Sequence, residues 1–497
     1  MNRQRAIYVA LNACFTLLVA VGWATGSSAA HPLFLIPLFA LCSSSMLDMR
    51  QLNDRYALLV LFSAMYFMSY GIVDVFALFS EPLEKVRDGG VLTMAEAVIL
   101  VSGAFAQLGY RMVCRPPGPD AVIEATGNDW PERTLVLVGG ALWIVCTWLS
   151  WEFKVNIIVD ATIDATARGL AALGTLKTSA FILAMMLQPL GILMLAYAQC
   201  RYRRAYLTPV LITVVLVQLV FGFVIDVKGD ALIGGILVVL TKLLVESKLP
   251  KGWLVAIVAF IAVAFPVLQA NRIVRGDYGI DRTAAAGNMG EVLKRSMTGS
   301  ETLTAGPGRA AIFFGRVSTK GTVEMIVTRT GRDVPYQYGY TLSPLLTAFI
   351  PRVVWPDKPD VQAGQVVNKE FQVSESADTY ISPSHLGELY WNLGWPGAVL
   401  GMWSIGMLLG LVSRRFHLEN AVSLTRIMVA VVTLRLLIIG FESSIAAQYV
   451  VWARSMLAIG LLHALFARAP ALSGQEKIAG EPVAANDEPL RFPHLMR

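Results

Sequence analysis

His385, Glu388 and Asn392 stand at positions i, i+3 and i+7 of the run "SPSHLGELYWNLGWPG". On a helix this spacing places them on one face. A carboxylate or an imidazole at the mouth of a helix can take a proton from a hydroxyl. Glu388 is the first candidate for that base and His385 the second. Plainer uses fit the same residues: Ser384 as a cap for the helix start, Glu388 as the partner of an arginine. Just upstream, Arg352 and Lys358 flank Trp355 in "TLSPLLTAFIPRVVWPDKPD". Arginine offers a planar fork of donors that matches phosphate, and lysine a compact point charge. Both residues suit an anion, and both equally suit snorkelling to lipid headgroups. Arg435 and Glu442 are seven apart, close to one helix face, and can simply pair. The five cysteines, Cys14, Cys42, Cys114, Cys146 and Cys200, form no CxxC pair and no Cys/His cluster, so neither a disulfide framework nor a zinc site is read here.

The elements that must carry these residues follow from composition. The chain has 497 residues, 55% of them hydrophobic and 15% charged, with a mean hydropathy of +0.58. A soluble domain carries about 25% charged residues. This balance excludes a disordered chain, a nucleic-acid-binding module and an ordinary cytosolic enzyme, and predicts an all-α polytopic membrane protein. About 20 apolar residues span a bilayer. Twelve such runs are found, near 6–26, 31–47, 56–80, 93–112, 134–152, 176–200, 207–226, 230–246, 252–271, 386–412, 421–441 and 446–467. The first of them follows Arg3 and Arg5 without a clear cleavage site and is expected to stay as a span.

Charge then sets orientation through the positive-inside rule. With the N-terminus in the cytoplasm, Arg50 and Arg55, Arg111 and Arg115, Arg201, Arg203 and Arg204, Lys248 and Lys251, Arg414 and Arg415, and Arg468 all fall on the cytoplasmic side. Both termini are then cytoplasmic. Spans 1–9 occupy residues 1–271, one large outer loop covers 272–385, and spans 10–12 occupy 386–468. The polar tail 469–497 reads as disordered.

Within the outer loop, residues 272–332 hold ten Lys or Arg against five Asp or Glu. Most of these read as a solvated surface that can also meet a phosphate or an acidic sugar. The apolar stretch Leu342–Ile350 is too short to span and is broken by Pro344 and Pro351. Segment 341–356 is therefore expected to lie in the interface or to re-enter the protein. Asp74, Glu96, Arg435 and Arg454 fall in the outer half of their spans, with Glu442 at the outer boundary. Ionisable residues at such depth are costly and often functional.

Three runs, "FFGRVST", "PYQYGYTLSPLLTAFIPRVVWPDKP" and "SHLGELYWNLGWPGAVLG", resemble the bacterial oligosaccharide repeat-unit polymerases of O-antigen and exopolysaccharide assembly, the Wzy-type family. The resemblance is strongest from Gly339 to Pro359 and from Gly387 to Gly394. It implies a multi-span, GT-C-like glycosyltransferase in the bacterial inner membrane, with its large loop in the periplasm. It implies lipid-linked oligosaccharides on undecaprenyl diphosphate as substrates, membrane lipids as surroundings and a polysaccharide chain-length regulator as a partner. Carried onto this sequence, it marks Arg316, Arg352, Lys358, His385, Glu388 and Asn392. The cations Arg316, Arg352, Lys358 and Arg435 would face the diphosphate, with Asn392 binding substrate. An Arg with Gly eleven residues on, here Arg295 and Gly306, also matches a spacing seen in some such polymerases. The chain has no Asp-x-Asp pair, so fixed cations rather than a metal are expected to meet the leaving diphosphate, and no cofactor is expected. Two other readings stand beside it: a glycan ligase, which shares donor and leaving group, and a lipid-linked oligosaccharide transporter, which should instead place its polar site near the midplane.

Overall fold

A computed structural model describes residues 3–24, 32–48, 55–77, 92–114, 130–158, 174–224, 228–246, 318–350, 363–374, 380–416 and 423–467, with Gly252, Val255 and Trp355. The described residues are mostly helical and form no strand. The chain is an all-α protein of membrane character: six helices are long and apolar enough to cross a bilayer, and Pro32–Leu47, Ala57–Tyr70 and Leu207–Val220 are shorter apolar helices. Helices are the expected solution for apolar segments of this kind, because every backbone N–H and C=O is satisfied inside the segment.

The helices are α1 (Arg3–Ala24), α2 (Pro32–Ser44), α3 (Ala57–Tyr70), α4 (Ile72–Ala77), α5 (Met94–Val113), α6 (Glu132–Ile158), α7 (Gly174–Tyr202), α8 (Leu207–Val224), α9 (Lys228–Glu246), α10 (Lys320–Arg329), α11 (Pro344–Thr347), α12 (Ala363–Phe371), α13 (Ser384–Arg415), α14 (Leu424–Thr433) and α15 (Ile445–Phe466). Helices stand where eleven of the expected spans fall. The ninth, 252–271, lies outside the described residues apart from Gly252 and Val255, as do 272–317 of the outer loop and the tail 469–497. The run 56–80 is not one helix. It ends at Tyr70 and resumes at Ile72 as the six-residue α4.

Helix starts follow local chemistry. The Thr93 hydroxyl accepts the Glu96 N–H at 3.2 Å and Glu96 Oε2 accepts the Thr93 N–H at 3.0 Å, a reciprocal cap that fixes the start of α5. Ser444 caps α15 by accepting the Ala447 N–H at 3.3 Å.

The frame of the site is the pair α5 and α13. Gly406 and Gly109 let the two backbones touch: a methyl on Gly406 would collide with the Ala106 carbonyl, and one on Gly109 with that of Trp403. Small residues at such crossings are how membrane helices gain close packing where lipid removes the hydrophobic drive. α6 and α7 repeat the device, with Gly191 set against the Gly139 carbonyl.

Candidate functional site

The site is built on the first three turns of α13. Ser384 Oγ accepts the Gly387 N–H at 3.2 Å, the capping role its position suggested, and shares a hydrogen bond with the Tyr70 hydroxyl at 3.2 Å. The helix then breaks. Gly394 has φ +63, a left-handed conformation that glycine adopts without the steric cost of a side chain. Pro396 follows and has no N–H to offer the Asn392 carbonyl four residues back. The segment before Gly339 supplies what the broken turn lacks: the Gln337 N–H donates to the Trp391 carbonyl and the Tyr338 N–H to the Asn392 carbonyl, each at 3.1 Å.

Asn392 completes this joint. Its Oδ1 accepts the Gly339 N–H at 2.7 Å. Its Nδ2 donates to Thr341 Oγ1 at 2.8 Å and to the Glu388 carbonyl at 2.7 Å. Three of the amide's hydrogen-bonding positions are thus engaged by protein. The sequence reading gave Asn392 to the substrate; the structure uses it to tie the Gly339–Thr341 segment to α13.

His385 and Glu388 lie beneath that segment, each with 0% exposure. Glu388 Oε2 accepts the N–H of Ile445 at 2.6 Å, at the start of α15, where the helix N-terminus favours a negative charge. Its Oε1 has no hydrogen bond among the described residues, although Thr341 lies close by. Among the described residues Glu388 therefore rests on a helix N-terminus rather than on an arginine. The His385 ring meets Phe441 edge-on at 5.0 Å and Tyr449 at 5.4 Å. Neither of its nitrogens, nor the Tyr449 hydroxyl, has a hydrogen-bond partner among the described residues. Phe441 also packs on Phe62, Tyr66 and Tyr70 of α3. Unpartnered buried polar atoms are few in folded proteins. Four of those found among the described residues gather here, on His385, Glu388 and Tyr449. No signal in the sequence singled out Tyr449.

The other candidates divide. Arg316, Arg352 and Lys358, together with Arg295 and Gly306, lie outside the described residues. Arg435 is half-buried in a π-helical turn, Leu434–Ile438, that continues α14, an irregularity often found at functional positions. Glu442 closes the following turn, and its carbonyl accepts a hydrogen bond from the Ser382 hydroxyl. Arg454 of α15 donates to the Ala348 carbonyl, holding the end of the short segment that α11 opens. That segment is a single helical turn whose Leu346 is 83% exposed and whose Phe349 also faces outward.

Asp74 and Glu96 are not part of this group. Both are buried around Lys320, the first residue of α10: Lys320 Nζ forms ion pairs with Asp74 and, at 3.0 Å, with Glu96. Lys320 was one of ten basic residues expected on a largely solvated surface, yet it is 4% exposed. It lies in the bundle because two carboxylates there pair with it and the Phe34 ring covers it at 4.2 Å.

Among the described residues no group of three or more His, Cys, Asp or Glu is arranged to hold a metal. No protein-family model, curated protein or solved structure matches the chain.

Proposed function

We propose that the protein polymerises oligosaccharide repeat units carried on undecaprenyl diphosphate, at the outer face of the bacterial inner membrane. In this reading an acceptor sugar hydroxyl attacks the anomeric carbon of the growing glycan. The bond from that carbon to the diphosphate oxygen breaks, undecaprenyl diphosphate leaves, and the hydroxyl proton passes to Glu388, with His385 beside it. Arg316, Arg352, Lys358 and Arg435 are the cations assigned to the departing diphosphate, since fixed positive charge acts on negative charge developing in the transition state. Asn392 fixes the segment that covers the base. The reading takes twelve spans in a GT-C-like arrangement with both termini in the cytoplasm. The outward apolar side chains of Leu346 and Phe349 then meet lipid near the headgroups, at the level of a lipid-linked donor.

The observation that carries the reading is the joint at Asn392. The two runs in which the family resemblance is strongest are some fifty positions apart in sequence, and they meet through Asn392, Gly339 and Thr341 directly over Glu388. Segments that share no helix and form one buried polar site are what a site-bearing motif requires.

The test is a deletion strain together with purified lipid-linked repeat units. Loss of the protein should leave single repeat units on the carrier lipid, and the purified protein should build a ladder of products with or without a chelator. Normal chain lengths without the protein would refute the proposal. Long chains still on the carrier lipid would favour the ligase, and repeat units trapped in the inner leaflet the transporter. Arg352→Ala should abolish the ladder while the protein stays inserted; an unchanged ladder removes Arg352 from the mechanism.

A further inference from the structure

The Lys320 cluster is remote in sequence from the His385–Glu388 turn but joined to it by direct contacts. Lys320 Nζ is held by Asp74 of α4 and by Glu96 of α5, with Glu324 of its own helix at 3.8 Å and Phe34 of α2 against it. Glu96 is doubly placed: one oxygen caps α5 and the other takes the lysine. Immediately before Lys320, the Ser318 hydroxyl and the Thr319 N–H both donate to the Ser69 carbonyl, at 2.9 and 3.0 Å. The next residue, Tyr70, holds Ser384. One helix end thus anchors both α10 and the start of α13.

Beyond Lys320, Val323 and Ile326 of α10 are fully buried. They pack where a methyl on Gly387 would stand 3.0 Å from Ile326 Cδ1 and 3.4 Å from Val323 Cγ2. Gly387 lies between His385 and Glu388. At the far end of α10, Arg329 donates to the Phe371 carbonyl at 2.6 Å, and the Phe371 ring packs edge-on against Trp391 at 5.3 Å. α10 therefore packs on α13 at Gly387, between His385 and Glu388 in sequence but turned away from the face they share, and reaches Trp391 only through Phe371 of α12.

We infer that Lys320 is a positioning residue: its ammonium, seated between Asp74 and Glu96, docks the outer segment Ser318–Arg329 onto the helix bundle and thereby holds the turn of His385 and Glu388 in place. A lysine with its stem buried has no reason to enter this bundle except the two carboxylates, and the carboxylates have no reason to lie there uncompensated. The pairing couples the segment Ser318–Arg329 to α4 and α5. The inference deepens the polymerase reading, and only its activity arm rests on that reading.

The experiment places a thiol at the docked face with Ile326→Cys, in the full chain reconstituted in lipid nanodiscs. A hydrophilic maleimide is the probe, and the parent with its five native cysteines is the blank. With Lys320 present the new thiol should be protected. Lys320→Met should speed its labelling about tenfold or more, since labelling follows the population of the opened segment, while Lys320→Arg should keep it close to the parent rate. If Lys320→Met does not accumulate in the membrane, Glu96→Gln serves instead. It leaves Asp74 to hold the lysine and should speed labelling about threefold. Unchanged labelling in Lys320→Met, or in Glu96→Gln where that variant stands in, overturns the inference. So does labelling as fast in Lys320→Arg as in Lys320→Met, because charge would then not be what docks the segment. In the ladder assay, per inserted protein, Lys320→Met should lose polymer and Lys320→Arg should recover it; a full ladder from Lys320→Met also overturns the positioning role. A parent protein that makes no ladder refutes the polymerase reading instead, and the labelling still decides the docking.

Discussion

Two buried polar clusters meet at the end of α3, and they are built on opposite terms. Around Lys320 opposite charges meet: Asp74 and Glu96 hold the ammonium and Phe34 closes over it. Around His385 no such pairing is found: both imidazole nitrogens, one oxygen of Glu388 and the Tyr449 hydroxyl are buried without hydrogen bonds among the described residues. A satisfied network rigidifies what it joins, whereas an unsatisfied one carries a standing penalty. The first has the form of a structural pin. The second is a cluster of buried polar atoms left without hydrogen bonds among the described residues.

Breaking the Lys320 cluster should have the largest effect on stability. Lys320→Met leaves buried carboxylates without their cation and should cost about 3–5 kcal/mol, read as a lowered midpoint of thermal unfolding in detergent, followed by tryptophan fluorescence. A midpoint equal to the parent's would show that the cluster bears no load. At the His385 cluster the largest effect should be on turnover. Glu388→Gln keeps shape but not basicity, and should slow ladder formation by about 10²–10⁴-fold with the unfolding midpoint held. Unchanged turnover excludes Glu388 as the base.

The joint between the two motif runs should respond less. Asn392→Ala leaves the Gly339 N–H without its acceptor and should destabilise the protein by about 1–3 kcal/mol, seen in the same unfolding measurement. A drop in activity at full stability would return Asn392 to direct substrate binding. The smallest change in stability is expected from His385→Phe, which keeps an aromatic ring between Phe441 and Tyr449 and removes two unpartnered nitrogens. Stability should hold or rise by about 1 kcal/mol while polymer formation falls. A clear loss of stability would mean that these nitrogens have partners in the folded protein and that the two clusters differ less than their hydrogen bonding indicates.

Much of this arrangement is legible in the sequence. Apolar runs announce helices because the backbone has no other way to satisfy itself in lipid, and helices indeed occupy 94–113, 384–415 and 445–466. The face shared by His385, Glu388 and Asn392 follows from helical spacing, and the Ser384 cap from its position. The roles are less legible. Asn392 reads as a substrate-binding amide until Gly339 and Thr341 are found on it. Asp74 and Glu96 read as members of a common outer site until Lys320, more than 200 positions away, arrives to claim them. Tyr449 looks like one more aromatic residue in a span.

The sequence by itself determined that this is a helical membrane protein, where most of its helices run, and which helix face carries a carboxylate beside an imidazole. These follow from hydropathy and from a fixed helical repeat, both of which act over neighbouring residues. Only the tertiary structure decided which polar groups find partners. Hydrogen bonds and ion pairs are satisfied at about 3 Å, and the groups that satisfy one another here lie from four to more than two hundred positions apart. Spacing along the chain places Glu388 and Glu96 alike near the start of a helix. The fold gives Glu96 a lysine and leaves Glu388 one oxygen without a hydrogen bond among the described residues.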